Sequence, residues 1–343
     1  MYRKTIDSDG ELEQIVDIYN ETTGRRRTIS QHRWEWFASP YENNSYVVIK
    51  KSGEIIGHHG LLSIELHYKG QNIEVGKTEN TITKKGFGAA YVRSEIEMFR
   101  EYSKKYDILM TTAAWGVTKK IREKLGYTFF AKNIVYFAIV DFSILASKFK
   151  SSFVKNIIKL IARPANVFLI SRKTTEDTFY EVKKLEEVDL QNLSEFYYQV
   201  KDDFGISQLR TTQFLKYRFI GNPYSDFHLV NFYNDDIFIG YVIYQIHDDR
   251  LFVEDILVLK EYSVSDVLSK IFNHVKKNKL ANIILFSTLE NSLLDRGYKG
   301  FFRKKGRDKA PCVMINKLES QTLSNEFTVE NFYFTRLTNE GVI

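Results

Sequence analysis

The segment from Lys77 to Tyr102 constrains the chain most, because it joins three kinds of local structure within a few residues. Ile73-Glu74-Val75-Gly76-Lys77-Thr78-Glu79-Asn80-Thr81-Ile82 is polar but β-capable. Lys85-Gly86-Phe87-Gly88-Ala89-Ala90 comes next, and then a helix. In that helix Ala89, Val92, Ile96 and Phe99 recur by three and four and share one face, with Arg93, Glu97, Arg100 and Lys104 opposite. A strand, a glycine turn and a helix N-terminus suit an anion. The first-turn N–H groups have no helical partner and carry the positive end of the dipole. Glycine lets a pyrophosphate reach the backbone, since no Cβ intervenes, and Lys85 adds charge at the mouth. The same residues also suit a tight turn into a surface helix, and two glycines alone do not decide between the readings.

The downstream sequence favours the anion cradle. Tyr106-Asp107-Ile108-Leu109-Met110-Thr111-Thr112 is a short apolar strand. Trp115-Gly116-Val117 opens a helix through Val117, Ile121 and Leu125, which ends in Lys124-Leu125-Gly126-Tyr127 with Gly126 as the C′ residue. Phe129-Phe130 and Val135 to Val140 read as strands. This order resembles the GNAT N-acyltransferase superfamily. Its pattern is strand, Arg/Gln-x-x-Gly-x-Gly/Ala, helix, strand, helix ending in Lys-Leu-Gly-Phe, strand. Lys85 stands where Arg or Gln is usual, and Lys124 to Tyr127 matches the second motif. The resemblance implies that an acyl-CoA pyrophosphate rests on Gly86, Phe87, Gly88, Ala89 and Ala90 beside Lys85. It also implies that pantetheine lies between the strand before the loop and the Ile108–Thr112 strand.

Acylation of an amine needs a base, an oxyanion donor and an acid for the leaving thiolate. In the family the base is often a carboxylate on the strand before the loop, which here is Glu79, with Glu74 second. A solvated strand-edge glutamate is the plainer reading of each. A backbone N–H near Thr81 to Thr83 would hold the oxyanion. The usual acid is a tyrosine four residues before the glycine of the second motif, and that position is Arg122. Tyr91 is an alternative proton donor. Otherwise the thiolate leaves into the field of Arg122, or the activity has been lost. His58 and His59 are strand neighbours, so they point to opposite faces and make a poor metal pair. No metal site is expected.

The second half repeats the first. Pro40 and Pro223 lie 183 positions apart, and so do Gly57 and Gly240. Leu125-Gly126-Tyr127 recurs as Arg296-Gly297-Tyr298. The second copy of the loop, Lys260-Glu261-Tyr262-Ser263, has no glycine, and its acidic residue would oppose a pyrophosphate. The chain therefore resembles tandem GNAT proteins of the sort that includes mycothiol synthase and the Fem-type aminoacyl transferases. The expected fold is α/β, two tandem GNAT-like domains, each a mixed, mostly antiparallel sheet flanked by helices. The expected spans are 1–140 with the acyl-CoA loop, 141–176 as a connecting helical segment, 177–316 as a degenerate second domain, and 317–343 as a polar tail. The helical pattern of Ile144, Leu145, Phe149, Phe153, Ile157, Leu160 and Ile161 reads as a helix packed on a domain, with a membrane-surface helix as the alternative. Arg25-Arg26-Arg27 reads as a solvated loop, with an anion-facing loop over the acceptor as the alternative.

Composition excludes several classes. A chain of 343 residues favours two domains. Its one cysteine, Cys312, rules out an internal disulfide framework and reads as a buried thiol. No apolar run is long enough for a spanning helix, and Met1-Tyr2-Arg3-Lys4 carries no apolar signal region, so a cytoplasmic protein is expected. A net charge of +6 suits anionic partners. CoA qualifies; nucleic acid is disfavoured, since no basic-aromatic stripe appears. The expectation is transfer from acetyl-CoA or another acyl-CoA to a primary amine of a small metabolite, such as an amino sugar. The alternatives are an aminoacyl-tRNA-dependent Fem-like transferase and an inactive GNAT scaffold that binds a ligand or partner.

Overall fold

The computed structural model describes residues 2–3, 9–41, 44–141, 143–144, 151–157, 178–298, 300–304, 312–317 and 327–338. The first half runs β1 (Tyr2–Arg3), α1 (Asp9–Thr23), α2 (Ile29–Phe37), β2 (Ser45–Lys51), β3 (Glu54–Tyr68), β4 (Gln71–Thr83), α3 (Gly88–Tyr102), β5 (Ile108–Ala114), α4 (Gly116–Lys124) and β6 (Thr128–Ile139). The second half starts with β7 (Thr178–Lys184), α5 (Leu190–Val200), β8 (Ile206–Gln208) and α6 (Thr212–Leu215). It continues with β9 (Phe227–Asn234), β10 (Ile237–His247), β11 (Arg250–Val258), α7 (Val264–Lys277), β12 (Ile283–Leu289), β13 (Phe302–Lys304), β14 (Cys312–Lys317) and β15 (Phe332–Tyr333).

Two sheets join into one, in the order β1-β2-β3-β4-β5-β14-β6-β12-β11-β10-β9-β7. The join is an exchange. β14, from the second half, is inserted antiparallel between β5 and the first part of β6. The last part of β6, Asn133 to Ile139, crosses over and pairs with β12 and β13 of the second half. Each half thus completes its sheet with a strand from the other. β14 can take a central position because Cys312-Val313-Met314-Ile315 is buried throughout. In the first half α1 and α2 cover one face, through Ile15, Tyr19 and Trp36 on Tyr46 and Leu62. α3 covers the other, through Met98 and Tyr102 on Leu61, Leu109 and Met314.

The repeat runs at an offset of 183 positions through the first hairpin (240 − 57) and at 175 on the strand that follows (257 − 82). Thr28 caps α2 by accepting from the Gln31 N–H, and Thr211 caps α6 by accepting from the Phe214 N–H. Ile56 and Ile239 are each bulged out of their hairpins, and their carbonyls accept from Lys84 and Leu259 at 2.7 and 2.9 Å. Gly57 and Gly240 explain themselves in the same way. A Cβ at Gly57 would stand 2.1 Å from the Ile82 carbonyl oxygen, and one at Gly240 would stand 2.3 Å from that of Leu257. The two copies meet through equivalent residues. The Trp34 ring stacks on Tyr217 at 5.1 Å, and its Nε1 donates to the Tyr217 carbonyl at 2.9 Å.

Several expectations change. The buried face of α3 is Ser94, Glu95, Met98 and Tyr102, while Ala89 is exposed and Val92, Ile96 and Phe99 are half-buried. Polar Ser94 and Glu95 on the inner face hide it from an apolar periodicity. β6 is one continuous strand, because it has to span both sheets. Residues 327–338, within the stretch read as a polar tail, are core. Phe327, Phe332, Tyr333, Phe334 and Leu337 are all buried. Of the connecting segment, residues 145–150 and 158–177 lie outside the described residues. Residues 152–157 are helical, with Phe153 largely exposed. Arg25 and Arg26 are exposed, but Arg27 is buried against Glu35, with its guanidinium 3.7 Å from the centre of the Tyr19 ring.

Candidate functional site

The site is built where β4 and β5 part. They pair in parallel from Val75↔Ile108 to Lys77↔Met110 and then diverge. β5 leans toward β14, and β4 stays with β3, so a notch opens between them. A bulge lies in the diverging part of β4. His58 pairs with Ile82 and Gly60 with Glu79, which leaves Asn80 and Thr81 opposite the single residue His59. A bulge of this kind leaves one residue unpaired in the ladder, and it overlaps the Thr81 to Thr83 stretch expected to hold the oxyanion only at Thr81. Thr83, by contrast, pairs with Gly57.

On the α3 and α4 side the notch holds a cavity of about 190 Å³, lined by Thr81, Tyr91, Glu95, Thr111, Trp115 and Arg122 among others. On the α1 and α2 side, at the junction of the halves, lies a smaller cavity of about 40 Å³. Trp34, Tyr41, Lys77, Tyr217 and Arg218 help to line it. Glu79 lines both. It is buried, its carboxylate contacts the Lys77 ammonium, and the Lys77 Nζ also donates to the Thr338 carbonyl at 2.9 Å. Glu74 is elsewhere, accepting from the Ser63 hydroxyl at 2.7 Å.

Arg122 is buried and paired. Its Nη2 stands 2.5 Å from Glu95 Oε2, and its Nη1 donates to the Tyr127 hydroxyl at 3.1 Å. Burial opposes ionisation of Glu95, but the charges of Arg122 and then His59 outweigh it and hold the carboxyl at about 2. The Arg122 guanidinium is therefore neutralised at the wall of the cavity rather than free beside a leaving group. Tyr91 shares a hydrogen bond of 3.0 Å with the Thr118 hydroxyl, and burial followed by the Glu95 charge pushes its phenol well up. It stays protonated at neutral pH and faces the same cavity as Glu79.

The glycine loop is open. Lys84 to Phe87 closes a turn, with the Phe87 N–H on the Lys84 carbonyl at 3.1 Å and Gly86 at φ +93°. Glycine suits that third position of a type II turn. A Cβ at Gly86 or Gly88 would meet nothing within 4 Å, so the approach to the backbone is clear. Phe87 caps α3 without a side-chain hydrogen bond, and no acidic residue stands in the first turn. The Gly88 and Ala89 N–H groups at the start of α3 have no helical partner, whereas the Ala90 N–H already donates to the Phe87 carbonyl at 3.0 Å. A cavity of about 370 Å³ flanks the loop, with Lys50, Lys51 and Arg93 at its walls and Phe87, Ala89 and Ala90 beside them. Lys85 is exposed beyond it. Downstream, the Tyr127 and Gly126 N–H groups return to the Arg122 and Glu123 carbonyls at 3.0 and 3.1 Å, the double bond of a Schellman cap.

His58 and His59 do point to opposite faces. His58 packs among His32, Tyr46 and Trp36. The Nε2 of His59 lies 3.6 Å from Glu95. Cys312 is buried and donates to the Ala114 carbonyl at 3.0 Å. Among the described residues no group of three His, Cys, Asp or Glu side chains is placed to hold a metal ion. No described helix is long and apolar enough to cross a membrane. Sequence reasoning missed Lys77, Glu95 and Trp115. Glu95 left a trace as a charge four residues after Tyr91 and hence on the same helical face, and Lys77 as a charge two residues before Glu79 and hence on the same strand face.

No family model matches the sequence, and no curated protein is similar to it by sequence. The fold has close counterparts among solved structures. A GCN5-related N-acetyltransferase from Anabaena variabilis superposes with a TM-score of 0.61 at 14% identity, covering 93% of this chain and 73% of that one. A tandem GNAT protein from the clavulanic acid biosynthesis pathway gives 0.57 at 9% identity, over 93% of this chain and 99% of that one. The Saccharomyces cerevisiae N-myristoyltransferase with bound myristoyl-CoA gives 0.56 at 10% identity, over 92% and 82%.

Proposed function

The chain has the tandem GNAT fold, and from that premise we propose that it is an acyl-CoA-dependent N-acyltransferase whose reaction centre lies in the first half. The observation that carries this reading is the position of Glu79, which borders the notch cavity on one face of the sheet and the junction cavity on the other. A thioester laid in the notch from the α3 side and an amine entering from the junction would meet beside that carboxylate. Acetyl-CoA is the proposed donor and a primary amine of a small metabolite, such as an amino sugar, the proposed acceptor. The use of a CoA ester supports a cytoplasmic site of action.

The roles follow from chemistry. Gly86 to Ala90 would hold the pyrophosphate, with the Gly88 and Ala89 N–H groups at the α3 start as donors and Lys85 at the mouth. The bulged backbone at Asn80 and Thr81 would bind the oxyanion. The amine nitrogen attacks the thioester carbon, and Glu79 takes the proton that the nitrogen loses. The C–S bond then breaks, and the thiolate takes the phenolic proton of Tyr91. Tyr91 replaces the family's usual tyrosine acid, while Arg122 is assigned to positioning through Glu95. Glu79→Gln should lower the transfer rate by about 10²-fold or more, with acyl-CoA affinity unchanged in equilibrium titration. An unchanged rate would move the base to another group.

A further inference from the structure

Trp115 stands apart from the other tryptophans. The chain has three; Trp34 and Trp36 are 7% and 2% exposed, whereas Trp115 is 63% exposed. It sits at the N-cap of α4, with extended backbone and no side-chain role in capping. It also lines the notch cavity, so its exposed ring stands at the cavity mouth. The exposure continues around it. Val117 is exposed, and so is Phe129 at the start of β6. Lys119 lies one turn after Trp115, on the same side of α4; its ammonium is 5.6 Å from the centre of the Phe129 ring and 3.9 Å from the exposed Glu123 carboxylate, an ion pair that a phosphate would have to displace or share. The first turn of α4 carries no acidic residue. A large flat ring, a cation and an uncapped helix start thus share one rim. None of them contributes to the core.

Resting on the acyltransferase reading, we propose that this rim is the seat of the adenosine 3′-phosphate end of acyl-CoA, with the adenine stacked on the Trp115 indole and the 3′-phosphate beside Lys119. Three features of the rim favour this occupant. The rim is continuous with the notch, so one ligand can reach both. The Tyr91 to Thr118 hydrogen bond ties the α4 start to the α3 start, so the rim adjoins the glycine loop that would hold the pyrophosphate. The chemistry is complementary, since a π-face accepts any purine and the cation accepts a phosphate. Trp115 is thereby a binding residue for the non-reacting end of the donor, and it would set affinity rather than chemistry.

The test uses the full chain and tryptophan emission. Acrylamide reaches Trp115 and spares the two buried indoles, so collisional quenching reports on this one ring. Adenosine 3′,5′-bisphosphate, which has no thiol and no pantetheine, should shield Trp115 from acrylamide, and pantetheine should not. Trp115→Ala should weaken CoA binding by about tenfold, Trp115→Phe should retain most of it, and the affinity for pantetheine should stay the same in both. If Trp115→Ala binds CoA as tightly as the wild type, or if Trp115 remains fully quenchable in CoA-saturated protein, the proposal is wrong while the acyltransferase reading stands. Shielding by pantetheine alone would assign the rim to the other end of the ligand and overturn the proposal. If the wild type binds no CoA, both readings fall together.

Discussion

The two halves share a scaffold and differ in what fills the notch. In the first half β4 and β5 part around a cavity. In the second, β11 and β12 pair in parallel from Arg250↔Ile283 to Val253↔Phe286 and then part in the same way, but the chain itself enters. The Tyr333 hydroxyl donates to the Ile256 carbonyl on β11 at 2.7 Å, and the Thr288 hydroxyl on β12 donates to the Phe334 carbonyl at 2.8 Å. The difference is sharpest at one position. Gly60 pairs with Glu79, and its repeat equivalent Ile243 pairs with Asp255, so the two carboxylates correspond. Asp255 is saturated. It takes two hydrogen bonds from Arg210 at 2.8 Å, one from the Tyr241 hydroxyl at 2.9 Å and one from the Thr335 hydroxyl at 2.8 Å. Glu79 contacts Lys77 and borders two cavities.

The helix starts differ as well. α7 has Asp266 in its first turn, an internal anion for its dipole; α3 has none. Lys260 in the second-half turn is tied to Asp203 at 2.8 Å. A cavity of about 270 Å³ remains there, with Tyr333 among its walls, but carboxylates and side chains stand where the first half offers bare backbone. On the proposed reading one copy would bind the donor, while the other braces the fold.

The largest effect should come from the brace. Arg210→Ala strands Asp255 without its cation in a buried site, which typically costs about 3–5 kcal/mol. It should lower the denaturation midpoint of the whole chain cooperatively, because the halves exchange strands. A loss confined to one half would mean that they fold separately. Next, Gly57→Ala and Gly240→Ala should each cost about 1–3 kcal/mol by overpacking against a carbonyl. Similar penalties in chemical denaturation would support the equivalence, and one harmless substitution would break it.

The smallest effect concerns acid. Burial, and then the Arg27 charge, hold His32 down to about 3, and burial with His32 and Arg27 pushes His58 well below the usual range. Unfolded histidines titrate near about 6.5. The unfolded state therefore takes up protons first, and stability is full above that pH and declines as pH falls toward about 3. Glu95 adds a loss lower down, as pH falls toward about 2. All three groups lie in the first half; His228 and His274 of the second are only half-buried. His58→Phe should flatten the decline of melting temperature between pH 6.5 and 3, values set by the same two histidine limits. An unchanged slope would show that the histidine cluster does not govern acid stability.

Much of this was legible in the sequence, for local reasons. The glycine turn, the Schellman cap at Gly126 and the repeated Gly57 and Gly240 each follow from a backbone or steric demand that few residues meet. The illegible part depends on long-range pairing. Nothing in Cys312-Val313-Met314-Ile315 says that its neighbours are β5 and β6 rather than a strand of its own half. The segment ending in Phe332-Tyr333-Phe334 looked like a tail because polar residues precede it. The site was half-read for a similar reason. Glu79, Tyr91 and Arg122 line one cavity, but the pairing of Arg122 with Glu95 is set by a tertiary contact between α4 and α3.

The central claim is that one half binds and the other does not. It is tested most directly by isothermal titration of the full chain with acetyl-CoA and CoA. The account predicts one equivalent per chain. Gly88→Glu should abolish binding, because it fills the open approach and sets a carboxylate against the phosphates, and Ser263→Glu should leave binding nearly intact. Two equivalents per chain, binding that survives Gly88→Glu but is lost in Ser263→Glu, or no affinity for CoA at all would contradict it.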